Sequence, residues 1–139
     1  METTLSSQEN HRYLREKAGY FFLKDLCLIS AEGSDLFSYL QTQTTNDVNE
    51  LNPGQGQNNA IVDRKARVIS TFSLHRTGEE SAVILVETQQ KENLLDHLNS
   101  FLFREDVTLT LSNHFVLALQ GPKSQEIIKN FTRSDDSIP

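Results

Sequence analysis

Several features that would mark a particular class of protein are scarce in this sequence. Its 139 residues include one cysteine, Cys27, so no disulfide can form within the chain. Cys27 lies in an apolar run, which is typical of a buried, unreactive thiol. No apolar run approaches the roughly 20 residues that cross a bilayer. The N-terminal residues are polar and include acids, unlike a signal or transit peptide. We therefore expect a cytoplasmic protein that has no membrane partner.

Basic residues are also few. The sequence has 13 Lys and Arg against 19 Asp and Glu, a formal net charge of -6. General nucleic-acid-binding proteins neutralise phosphates with a basic face, so this excess of acid argues against a nucleic-acid partner. The four histidines and the single cysteine show no metal-ligand spacing, so we expect no zinc or other metal site.

The length and the apolar pattern indicate a soluble α+β fold. Residues 68–75 alternate between two faces, as in a strand. Thr77-Gly78 predicts a hairpin turn into the apolar run 82–86, which we expect to be a central strand covered on both faces. Leu94 and Leu98 belong to a helical apolar stripe. These patterns predict an antiparallel sheet with helices packed on it.

The remaining segments complete the predicted order of elements. Strands are predicted within 20–30, at 107–111 and, buried, at 115–119. Helices are predicted with Ser34 and Thr88 as N-caps, and from Gly121-Pro122. We predict a polar lead-in over residues 1–18, one domain over 19–131, and a linker over 132–139 toward a missing C-terminal part.

The stretch 33–67 is unusually rich in side-chain amides and hydroxyls. It contains the polar run 41–47, the turn 52–56 and the basic corner 63–67. These side chains fit a polar binding surface, although those of 45–47 also fit a turn that hydrogen-bonds its own backbone. No nucleophile, metal cage or phosphate loop accompanies them. The pattern therefore predicts a binding surface without naming a reaction.

Six segments and one single residue, taken in order, carry a resemblance to a known family. They are Gly33-Ser34-Asp35, Phe37, Leu40-Gln41, Thr45-Asn46-Asp47-Val48, Leu51-Asn52-Pro53-Gly54-Gln55-Gly56, Lys65-Ala66-Arg67-Val68 and Ala118-Leu119-Gln120-Gly121-Pro122. Their order and spacing resemble the N-terminal portion of the YgfZ-type folate-binding proteins, relatives of the glycine-cleavage T-protein (aminomethyltransferase). The Lys-Gly-Cys motif of the YgfZ branch would lie beyond the residues present. The resemblance implies the N-terminal domain of that fold, beside a folate pocket.

The resemblance implies tetrahydrofolate as the cofactor. The predicted folate-binding residues are Gln57, Asn58, Arg67, Ile69, Thr71 and Ser73, with Ile84 as a further position across a hairpin. The guanidinium of Arg67 matches the carboxylate of a folate glutamate tail. The alternative is that the basic corner only solvates a hairpin tip. Ala66 replaces a glycine that is usual in the family, so we expect a turn that does not need a left-handed backbone.

In the T-protein branch, the strand after the basic corner carries carboxylates that assist methylene transfer. Ser70 and Thr71 stand at those places, and a neutral hydroxyl cannot replace such an acid. We therefore expect no catalytic residue, and favour a YgfZ-type accessory protein that supports iron–sulfur enzyme assembly or repair, with iron–sulfur client proteins as partners. Two alternatives stay open: a tetrahydrofolate-dependent aminomethyltransferase-like one-carbon transferase, and an interaction module that dimerises through a surface left open by truncation.

Overall fold

The computed structural model describes residues 6–132, which fold into two units that interleave along the chain. Residues 24–116 form the larger unit, and the described residues of 1–23 and 117–139 form the smaller unit. In chain order, the elements are α1 (Ser7–Glu16), β1 (Gly19–Phe22), β2 (Leu26–Glu32), α2 (Leu36–Gln43), β3 (Gly56–Val62), β4 (Val68–Arg76), β5 (Ser81–Glu87), α3 (Lys91–Ser100), β6 (Thr108–Leu111), β7 (Leu117–Gln120) and α4 (Ser124–Thr132).

The larger unit is built on an antiparallel five-stranded sheet in the order β3-β4-β5-β2-β6. Alternate strand residues such as Ile29, Leu74 and Ile84 point to one face and are fully buried. Leu36 of α2 and Leu98 of α3 belong to the same core. Burial of such side chains contributes about 1.5–3 kcal/mol each. The predicted α+β class, an antiparallel sheet with helices, is confirmed.

The opposite face of this sheet is not covered to the same degree. In β5, Ala82, Ile84 and Val86 are buried, whereas Val83 and Leu85 between them are only half-buried. The prediction that the run 82–86 is covered on both faces was wrong. The strand is central in the sheet, but the helices of the larger unit pack on one side of it.

Tyr39 joins α2 to α3 within this core. Its hydroxyl donates a hydrogen bond to the Leu98 carbonyl oxygen at 2.5 Å, and the residue is 4% exposed. Burial, with a smaller contribution from the negative charge of Glu105, raises the pKa of Tyr39 to about 12. The hydroxyl therefore stays protonated at neutral pH and available as a donor.

Helix α2 begins without the predicted Ser34 cap. It starts at Leu36, after Asp35, and no side chain caps it. Ser34 instead donates from its backbone N–H and its hydroxyl to the Asp106 carboxylate, at 3.2 and 2.9 Å. These two bonds lower the pKa of Asp106. Gly33, with φ of 139°, permits the contact, because a Cβ there would lie 1.9 Å from the Asp106 carbonyl oxygen.

Two other helices also begin later than predicted. Helix α3 starts at Lys91, and the Thr88 hydroxyl lies 3.2 Å from the Cys27 sulfur instead of capping it. Helix α4 starts at Ser124, after Pro122. Residues with good capping chemistry are thus used in turns or in contacts between elements, which the local sequence does not reveal.

The smaller unit contains α1, α4 and a two-stranded antiparallel sheet of β1 and β7. The prediction of a buried strand at 115–119 was wrong, because the strand begins at Leu117, which is half exposed, and Phe115 is 86% exposed. A two-stranded sheet has little apolar area to bury. The lead-in predicted over 1–18 and the domain predicted over 19–131 stay predictions. The linker predicted over 132–139 lies, beyond Thr132, outside the described residues.

Ala66 lies in the turn between β3 and β4 with φ of 59°, the left-handed conformation. Its N–H donates to the Asp63 carbonyl oxygen at 2.9 Å, which closes the turn. The prediction that this turn does not need a left-handed backbone was wrong. The hydrogen bonds of the turn hold an alanine where glycine would be free of steric cost.

We predict that Ala66→Gly stabilises the larger unit. A left-handed residue with a Cβ costs about 1–2 kcal/mol, and the greater unfolded-state entropy of glycine offsets part of the gain. Urea denaturation should show a rise of about 0.5–1 kcal/mol in the free energy of unfolding. Ala60→Gly, in the extended backbone of β3, is the control and should lower stability. A loss of stability in Ala66→Gly would contradict the prediction.

Candidate functional site

A cavity of about 440 Å³ lies on the sheet face opposite α2 and α3. We call it the sheet cavity. The residues that line it are Leu26, Thr45, Asn58, Asn59, Ala60, Thr71, Phe72, Ser73, Leu85 and Glu87. All belong to the larger unit. The cavity exists because side chains alternate along strands, so the residues between the core positions share this open face.

Three strands contribute a row of side chains to the sheet cavity. Asn58 of β3 pairs in register with Ser73 of β4, and Ser73 pairs with Leu85 of β5. The Ser73 hydroxyl donates to Asn58 Oδ1 at 2.8 Å, which fixes the orientation of the amide. Neither Asn58 Nδ2 nor the Thr71 hydroxyl has a hydrogen-bond partner among the described residues. Both are available to a ligand.

The floor and the charge of the cavity come from β2 and β5. Leu26 and Leu85 are half-buried apolar residues, and Leu26 pairs in register with Glu87. Among the described lining residues, Glu87 alone carries a charge. The sequence reasoning missed Glu87. Its position two residues after Leu85, at the end of an apolar run, was the signal that places it on the open face.

Gln90 connects the cavity to the start of α3. Its Oε1 accepts hydrogen bonds from the Ser70 hydroxyl and from the Thr71 N–H, each at 3.0 Å. Its Nε2 donates to a carboxylate oxygen of Glu87 at 3.2 Å. One amide thus fixes the carboxylate of β5 relative to the backbone of β4. Ser70 is 1% exposed, so its hydroxyl is committed to Gln90.

Four of the predicted positions do not line this cavity: Gln57, Ile69, Ile84 and Arg67. Gln57 is half-buried on the core side of β3, and its Nε2 is buried without a hydrogen-bond partner within residues 6–132. Ile84 is fully buried in the core. Ile69 packs against the core and lines a different cavity, beside His97 and Phe101. The register of β3 and β4 shifts after Ile61, which breaks the alternation that Ile69 would otherwise follow.

Arg67 lies in the turn after β3 and does not line the sheet cavity. Its Nε and Nη2 both contact Asp63 Oδ2 at 2.7 Å. Asp63 also accepts the backbone N–H groups of Arg67 and Lys65. These hydrogen bonds, first that of the Arg67 backbone, lower the pKa of Asp63. This geometry agrees with the alternative interpretation, a solvated hairpin tip, and the binding role of Arg67 stays a prediction.

The polar run 41–47 mainly hydrogen-bonds its own surroundings. Gln41 Oε1 accepts the Val48 N–H at 2.6 Å. The Asn46 side chain donates to the Asn58 carbonyl oxygen at 2.6 Å, and Thr45 Oγ1 accepts the Ala60 N–H at 3.2 Å. These bonds fasten the loop to β3. Thr45 also lines the sheet cavity.

Within residues 6–132, no group of three or more His, Cys, Asp or Glu side chains could hold a metal ion. No helix in that range is long and apolar enough to span a bilayer. Cys27 is a free, half-buried cysteine.

We predict that Gln90→Ala destabilises the larger unit. It removes the acceptor of the buried Ser70 hydroxyl and of the Thr71 N–H, and such unsatisfied donors cost about 1–3 kcal/mol. Urea denaturation measures the loss. Gln89→Ala is the matched control, because Gln89 is exposed and makes no such bonds, and it should change stability by less than about 0.5 kcal/mol. Equal effects of the two variants would refute the role of Gln90.

The chain is similar in sequence to known proteins. An aminomethyltransferase from Geobacillus thermodenitrificans (strain NG80-2) is 28% identical over 134 residues, which are 94% of this chain and 36% of that protein. One from Oceanobacillus iheyensis is 30% identical, over 91% of this chain and 35% of that protein. The chain therefore spans about a third of the length of these relatives.

A solved structure shares the fold. The glycine cleavage system aminomethyltransferase T from Bartonella henselae superimposes with a TM-score of 0.79 at 21% identity, over 94% of this chain and 36% of that one. The family model described as "GCVT N-terminal domain" matches residues 2–139. The chain belongs to the GCVT N-terminal domain family.

Proposed function

We propose that this chain forms one wall of a tetrahydrofolate-binding pocket in an aminomethyltransferase-like one-carbon transferase. The observation that carries the proposal is the sheet cavity, which brings together Asn58, Thr71 and Ser73 from two strands. These are three of the six residues that the sequence predicts for folate binding. The names of the relatives support the same chemistry.

The composition of the cavity suits a flat heterocycle with polar edges. Leu26 and Leu85 offer apolar surface to the face of a ring, while the Asn58 amide and the Thr71 hydroxyl offer hydrogen bonds to its edge. Ligand pockets typically have volumes of about 300–1,000 Å³ and combine apolar walls with a few polar groups. The volume of about 440 Å³ falls within that range.

The sheet cavity would form part of a larger site. Because the chain spans 36% of a relative's length, the remaining walls in such a protein would come from residues outside this sequence. A single wall buries less of a ligand than a closed pocket, so we expect weak binding by the chain alone.

A YgfZ-type accessory role is the second candidate, in the cytoplasm and with iron–sulfur client proteins as partners. Ser70 and Thr71 favour it, since neither side chain can act as an acid at neutral pH. A methylene-transfer assay on the chain separates the candidates. Transfer above the uncatalysed rate supports the transferase, and folate binding without transfer supports the accessory role.

A self-association module is the third candidate, and exposed apolar side chains favour it. Tyr20 and Phe22 of β1 are 69% and 55% exposed, and no charged residue interrupts this strand. Unprotected strand edges of this kind promote pairing between chains. Light scattering that rises in apparent mass with concentration would support a dimer, and a constant monomer mass would exclude it.

We predict that Asn58→Ala weakens binding of tetrahydrofolate to the chain. The substitution removes one amide from the cavity, and a neutral hydrogen bond contributes about 0.5–1.5 kcal/mol, or roughly two- to tenfold in Kd. Isothermal titration calorimetry under reducing conditions measures the change. Asn113→Ala, at an exposed asparagine of the larger unit that does not line the cavity, is the control and should bind like the wild type. Absence of binding by the wild type would refute the proposed function.

A further inference from the structure

We propose that Glu87 is the specificity-determining residue of the sheet cavity and recognises an N–H-rich edge of the ligand, such as an aminopyrimidine ring. Gln90 acts as the positioning residue that holds the carboxylate. This inference rests on the proposed function and adds the orientation of the ligand to it.

The first observation is the charge of the cavity. Glu87 is the one charged residue among its described lining residues, so no arginine or lysine of that lining cancels the carboxylate. Leu26, its register partner, and Leu85, two residues before it, supply apolar neighbours. Glu87 itself is exposed, so its carboxylate is accessible to a ligand that lies against these apolar side chains.

The second observation is that the carboxylate is held on one side and free on the other. Gln90 Nε2 donates to Glu87 Oε2 at 3.2 Å, while Oε1 has no protein partner among the described residues. Gln90 is itself fixed by two hydrogen bonds from β4, so the carboxylate is oriented before a ligand arrives. Such preorganisation reduces the entropy cost of binding.

The third observation is the position of Glu87 relative to the other ligand-facing groups. Phe72 pairs in register with Val86, so Thr71 and Glu87 are the next residues along β4 and β5. The free Thr71 hydroxyl and the Glu87 carboxylate therefore face the same part of the cavity. Asn58 lies farther along, on β3, which gives the cavity an anionic end and an amide end.

This polarity determines how a folate would lie. A carboxylate accepts hydrogen bonds and donates none at neutral pH, so it pairs with the adjacent N–H groups of an aminopyrimidine in the way that it pairs with a guanidinium. The same charge repels the carboxylates of a glutamate tail. The pteridine would therefore occupy the Glu87 end, and the tail would point away from it.

The test compares two ligands on the 139-residue chain by titration calorimetry. Tetrahydrofolate contains the ring and the tail, and tetrahydropterin contains the ring alone. We expect Glu87→Gln to weaken binding of both about tenfold or more, because a charged acceptor is lost. Glu32→Gln is the matched control: it makes the same change of charge at another exposed carboxylate of the sheet, outside the cavity, and should bind like the wild type.

A double variant tests whether a restored carboxylate recovers binding. Glu87→Gln combined with Thr71→Asp returns a carboxylate to the same end of the cavity, and we expect it to recover at least threefold of the loss. Circular dichroism confirms that each variant is folded. If Glu87→Gln does not fold, Glu87→Asp, which withdraws the charge by one methylene, should weaken binding of both ligands.

The outcomes separate the two proposals. If the wild type binds neither ligand, the proposed function fails and this inference fails with it. If the wild type binds tetrahydrofolate and Glu87→Gln binds equally well, the inference alone is overturned. A loss confined to tetrahydrofolate, with tetrahydropterin binding unchanged, would also overturn it, because the carboxylate would then contact the tail side.

Discussion

The antiparallel pairing of β4 with β5 is the constraint on which the rest of this structure depends. Its register, with Phe72 opposite Val86, sends one set of alternating side chains into the core and the other set to the open face. The core set holds α2 and α3 on one side. The open set creates the sheet cavity. A shift of one residue would exchange the two sets, burying hydroxyls and exposing isoleucine and phenylalanine. Folding and the candidate site are therefore fixed by the same pairing.

Gln90 shows how this pairing is linked to the site. It precedes α3, yet its side chain hydrogen-bonds residues of the sheet. Its Oε1 accepts from the buried Ser70 hydroxyl, and its Nε2 donates to the Glu87 carboxylate. A glutamine suits this place because its amide is both a donor and an acceptor. The same hydrogen bonds satisfy a buried polar group and orient the one charge in the cavity lining, so stability and recognition are coupled there.

Much of the larger unit could be predicted from periodicity. The alternation through 70–75, the Thr77-Gly78 turn and the apolar stripe of α3 were predicted correctly, because each depends on neighbours within a few residues. The first residues of the helices were predicted less accurately. Ser34 and Thr88 have good capping chemistry, but they contact Asp106 and Cys27 instead. Local propensity cannot anticipate partners that the fold brings from distant parts of the chain.

The sequence by itself determined the α+β class and the family, because the order of the motifs is a property of the sequence. It also determined that Asn58, Thr71 and Ser73 share one surface, because side chains alternate along a strand. Tertiary structure decided the rest. A bulge after Ile61 moved Ile69 to another cavity, an ion pair engaged Arg67 with Asp63, and a turn forced Ala66 into a left-handed backbone. Glu87 entered the cavity because two strands met in one register. The strand pairings that place Ile69 and Glu87 join residues distant in the sequence. The contacts of Arg67 and Ala66 with Asp63 form within one turn, whose backbone geometry the residue types alone do not reveal.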